Sequence, residues 1–160
     1  MNNFLKAILF AIIFVFSGVV SASDEHKHPD NHVPVKGSAG HFTGKKYESD
    51  APLRTHMSAI RTEMQSKIGD IHSGRVKDED YQRLSEKIDT SIQSIFKDCK
   101  LKPEADAALH TILTEIMAGS AAMKTGPKTE ARPQGFLKVI KGLDSYGQMF
   151  NHAGWKPMTH

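Results

Sequence analysis

The sequence predicts an all-α domain, an antiparallel up-down-up-down four-helix bundle that follows a disordered His-rich N-terminal arm. Three observations predict it. Four segments of about 20 residues repeat apolar positions every three or four residues. Acidic, Pro or Gly signals bound each segment, and the connections are too short for a crossover, so neighbouring helices run antiparallel.

The first helix is expected from Ser49 or Asp50, both good N-caps, with Pro52 in its opening turn. Leu53, Met57, Ile60, Met64, Ile68 and Ile71 keep one face inward until Gly74. Asp78, Glu79 and Asp80 then open the second helix, where the backbone dipole favours negative charge. Tyr81, Leu84, Ile88, Ile92, Ile95 and Phe96 form its expected buried face, with Cys99 in its last turn. Pro103, Glu104 and Asp106 open the third helix. Its face reads as unusually wide, with Leu109, Ile112, Ile116 and Met123 on one line and His110, Leu113 and Met117 beside it. The run Gly119-Ser120-Ala121-Ala122 should let a neighbour come close. Pro133 falls in the first turn of the fourth helix, and Phe136, Val139, Ile140, Leu143, Tyr146 and Phe150 carry its apolar face toward Gly154.

Ahead of the bundle, Lys6 precedes the uncharged stretch Ala7–Val20 and the small-residue close Val20-Ser21-Ala22. That is a secretory leader, too short in its apolar part for the ~20 residues of a bilayer span. The expected organisation is a signal peptide over 1–22, the arm over 23–48, the bundle over 49–155 and a C-terminal tail over 156–160. The mature chain is then periplasmic, with no permanent membrane span.

Loss of Lys6, the only charged residue of the leader, takes the formal charge from +3 to +2. Both signs are interspersed along every helix, so no basic stripe points to nucleic acid. Cys99 is the only cysteine. A disulfide scaffold, a cysteine-rich zinc knuckle and covalent haem on C-x-x-C-H are thereby excluded. Burial near a helix end, pairing between chains and metal ligation stay open for it. No nucleophile–base–acid set or paired-carboxylate signature emerges, so no enzyme is expected.

The chemistry suggested by composition is coordination, because all nine histidines and six methionines lie beyond the leader. Antiparallel order brings the start of helix one, the end of helix two, the start of helix three and the end of helix four to one pole. His56 or Met57, Cys99, His110, Met149 and His152 then gather there from all four helices. Thiolate, thioether and imidazole together suit copper(I), and imidazole with thioether suits haem iron. Against this, Met at helical spacing is ordinary core filler, and a flanking His often only packs. His110 is expected half-buried, and His152 off the apolar stripe unless the helix unwinds before it. In the arm, His26, His28 and His32, with His41 further on, form an imidazole cluster suited to copper(II). Cleavage after Ser23 in place of Ala22 would set His26 third from a free amine, a square-planar copper(II) site. Trp155, just past the helix stop, should fold back over the same pole.

The string Cys99-Lys-Leu-Lys-Pro-Glu-Ala-Asp-Ala-Ala-Leu-His110, with Leu143-Asp-Ser-Tyr-Gly and Asn151-His-Ala-Gly-Trp155, resembles a group of small exported bacterial proteins. Some of these carry the label DnrO, and the resemblance implies an exported helical domain without an established activity. A second resemblance, to soluble b-type four-helix cytochromes, implies a haem held by Met57 and His152. The expectation is thus a non-catalytic, periplasmic metal-handling protein, copper first. A haem b protein and a cofactor-free interaction or sensor domain with a protein partner are the alternatives.

Overall fold

A computed structural model describes residues 44–126 and 130–159. The leader and the arm histidines His26, His28, His32 and His41 lie outside the described residues. Asp50 begins helix α1 (Ala51–His72) by accepting a hydrogen bond from the Leu53 amide at 2.9 Å. Gly74 ends it in a left-handed conformation, φ 65°, which costs a residue without a Cβ least. In α2 (Asp78–Asp98) the Asp80 carboxylate accepts from the Lys77 amide at 3.1 Å. Pro103 opens α3 (Pro103–Thr125), and α4 runs over Ala131–Met149. Successive helices pack side by side as in an up-down bundle, and no helix among the described residues is long and apolar enough to cross a membrane.

The core holds the expected stripes. Leu53, Met57, Ile60 and Met64 of α1 meet Ile88 and Ile95 of α2, Leu113 and Ile116 of α3, and Phe136, Leu143 and Tyr146 of α4. Three expected positions are corrected. Phe96 is 52 % exposed, Met117 is 45 % exposed and His110 is exposed. Each follows a buried residue, Ile95, Ile116 or Leu109, and one step turns a helix by about 100°. The wide face of α3 is therefore a narrower core stripe plus a wet flank. Ser120 and Ser85 are buried instead and bond each other at 2.9 Å, with Asp89 2.7 Å from Ser120 Oγ.

The α3–α4 seam is closed by glycine. A Cβ on Gly119 would lie 2.6 Å from the Gly135 carbonyl oxygen, and a Cβ on Gly135 equally close to that of Gly119. At the far end Arg132, buried, donates to the last carbonyls of α3, Met123 O and Lys124 O, and stands 3.6 Å from Asp78. It is a side-chain cap for the end of α3.

Two short elements were not expected. β1 (Tyr47–Glu48) pairs in parallel with β2 (Phe150–Asn151), joining the residues before α1 to those after α4. Helix α4 thus stops at Met149, well short of Gly154. The chain beyond it is no loose tail. Arg61 donates to Lys156 O and Pro157 O, Gln65 bonds Thr159, and Met158 is buried. Residues 152–159 climb α1 in step, from Ser58 through Arg61 to Gln65, and cover the side where α1 and α4 touch least.

Candidate functional site

The pole carrying β1, β2, the start of α1 and the end of α4 is built around Tyr146, which is fully buried. A buried phenol needs partners for its hydroxyl. The hydroxyl stands 3.0 Å from His152 Nδ1 and within hydrogen-bond reach of Ser49 Oγ. His152 Nε2 is 3.2 Å from Ser58 Oγ, one turn into α1 beyond Arg54. Ser49 Oγ in turn donates to Asn151 O, and Arg54 donates to Ser49 O.

The Asn151 carbonyl can only accept, so Ser49 donates to it, and the Ser49 oxygen stands 3.4 Å from Arg54 Nη1. A neutral His152 donates from one ring nitrogen and accepts at the other, and the hydroxyls of Tyr146 and Ser58 can each take the complementary role. His152 is held neutral. Burial, and then the positive charge of Arg54, depress its pKa below the ordinary 6.5. Burial likewise raises Tyr146 well above its usual range.

Ser58, His152 and Tyr146 carry the residue types of a nucleophile–base–orienter array, with Ser58 inside α1, whose own backbone amides are tied into the helix. The relay fastens the C-terminal segment to α1.

That fastening sets Trp155. Its ring lies edge-on to Tyr146 at 4.8 Å between centroids and 5.0 Å from His152, and its amide donates to His152 O at 3.0 Å. The indole nitrogen occupies the space a side chain on Gly147 would need. The expected return of Trp155 over the pole is seen. Beside it opens a cleft of about 510 Å³ between the last turns of α4 and the C-terminal segment. Lys46, Asp144, Gln148, Phe150, His152, Pro157 and Met158 line it with Trp155.

The candidate metal ligands fare differently from one another. Met57 is fully buried in the core. Cys99, at the end of α2, is half-buried; burial, and next the Asp50 carboxylate, push its thiol up to about 12, so it stays protonated at neutral pH. His110 bonds back to Asp106 O on its own helix at 2.9 Å, with its side chain 56 % exposed. Met149 is partly buried against the core, and His56 is half-buried on α1. His152 has both ring nitrogens engaged. One pole holds these residues, as antiparallel order requires. Among the described residues no three His, Cys, Asp or Glu side chains gather within reach of one ion.

Sequence reasoning missed the Ser58–His152–Tyr146 relay and the cleft. The available signal was the Asn151-His152 turn, since a helix ending at Met149 frees His152 from helical phase. No family model, no curated protein and no solved structure matches this chain.

Proposed function

We propose that this chain is an exported, non-catalytic binding protein whose folded domain takes a small ligand into the cleft beside Trp155. One observation carries the reading: the cleft stands open while both of its walls are pinned, one by α4 and the other by the His152 relay and the Arg61 bonds. A volume of about 510 Å³ is that of small-molecule sites, and fixed walls remove the ordering cost of binding. Export rests on the leader at 1–22.

Trp155 is the only tryptophan, so its emission reports occupancy directly. Screening small metabolites against the mature chain should find compounds that shift this emission and raise the melting temperature together. A screen in which no compound does both overturns the reading.

A second reading, copper(II) capture by the arm, is favoured by the spacing of His26, His28, His32 and His41. It does not depend on the bundle. Calorimetric titration should show copper(II) binding that disappears when these four are replaced by Ala and persists in His110→Ala. Equal binding by both variants removes it. Haem ligation by Met57 and His152 has less support, because one thioether is enclosed in the core and the imidazole is bonded on both sides.

A further inference from the structure

We infer that the cleft takes a zwitterion, an amino acid or a dipeptide with free amine and free carboxylate, an inference that rests on reading the cleft as a ligand site. The argument begins with the charges in its lining. Asp144 and Lys46 both face the cleft, yet they do not pair with each other. Lys46 Nζ donates to Gly147 O at 2.7 Å, which anchors the ammonium over the last turn of α4 and leaves two of its three N–H groups unused. Asp144 sits one turn earlier, on the same helix face as Gly147. Lys141, the cation best placed to neutralise it from its own helix, is 3.1 Å from Glu115 instead. Among the described residues nothing bonds the Asp144 carboxylate, which is half-buried.

The cleft therefore presents one fixed cation and one unpaired anion, roughly one helical turn (~5 Å) apart along α4. Trp155 and Met158 supply apolar lining to the same cleft. A ligand with a single charge would satisfy one group and leave the other facing it with the wrong sign or none. A ligand with both charges satisfies each, its amine on Asp144 and its carboxylate on Lys46, and lays its side chain on the indole. His152 is neutral here and adds no competing charge.

Trp155 emission tests this with three probes: alanylphenylalanine, its C-terminal amide and its N-acetyl derivative. The free dipeptide should bind about tenfold more tightly than either blocked form, as expected when one charge-assisted contact is removed. D144N should abolish the preference for the free amine and keep that for the free carboxylate; K46M should do the reverse. Both positions are at the surface rim, and an unchanged melting temperature confirms each variant is folded. Equal binding of all three probes, or selectivity that neither variant alters, overturns the zwitterion assignment while leaving the cleft as a binding site. No response to these probes or to indole itself overturns the cleft reading as well.

Discussion

Helix α4 meets its two neighbours in opposite ways. Against α3 it closes backbone to backbone at Gly119 and Gly135, where even a methyl group has no room. Against α1 the helices stand apart, and residues 150–159 are laid into the gap with a two-stranded pair, a histidine relay and a buried Met158. The first seam is filled by regular structure. The second is filled by an irregular segment, which cannot interdigitate as two helices do, and the cleft is what remains. The tight seam lies at one side of α4 and the cleft opens at the other.

The largest effect should come from the tight seam. Gly135→Val forces a branched side chain onto the Gly119 carbonyl, and neither backbone can retreat without parting the helices. We expect a loss of about 3 kcal/mol and a melting temperature lower by ~10 °C in a circular dichroism melt. A change within 2 °C would mean the seam is looser than described. Next comes removal of residues 155–160. Burial of Met158 and Trp155 is lost, for a cost of about 2 kcal/mol by urea denaturation, but the helices should keep their circular dichroism signal. A collapse of helicity would make the segment part of the fold itself.

Smaller, and confined to the wide seam, is a pH effect. His152 folds with its pKa depressed, so the unfolded chain binds more protons near the unfolded value of 6.5. Its contribution is complete above that value and is lost as pH falls toward the depressed one. Stability should fall on acidification through this window, and His152→Asn should flatten this part of the profile. Identical slopes in the two proteins would remove His152 as the cause. The smallest change belongs to the α2–α3 flank: Phe96→Ser and His110→Ala should each shift stability by no more than ~0.5 kcal/mol. A cost of 2 kcal/mol for either would return it to the core.

Much of the fold was legible because it is local. Asp50, Gly74 and Pro103 act within a few residues of themselves, and the stripes of α1, α2 and α4 repeat with helical period. Phe96, His110 and Met117 were misplaced together because each stands one step past a core residue, where apolar or ambivalent character widens the face on paper. For Met57, Cys99, His110, Met149 and His152, chain order supplies only a height along the bundle, and coordination also requires the rotation about each helix, which packing sets. The cleft was not legible at all. Lys46 and Asp144 are about a hundred positions apart, and a two-residue strand pair too short to show any period brings their segments together.

Acrylamide quenching of Trp155 tests most directly whether the C-terminal segment is seated in the α1–α4 gap. The account predicts slow quenching and blue-shifted emission in the native chain, with His152→Ala moving both toward the values of the urea-unfolded protein. Native Trp155 quenched as fast as in the unfolded protein would contradict it, because the wall of the cleft would then not be in place.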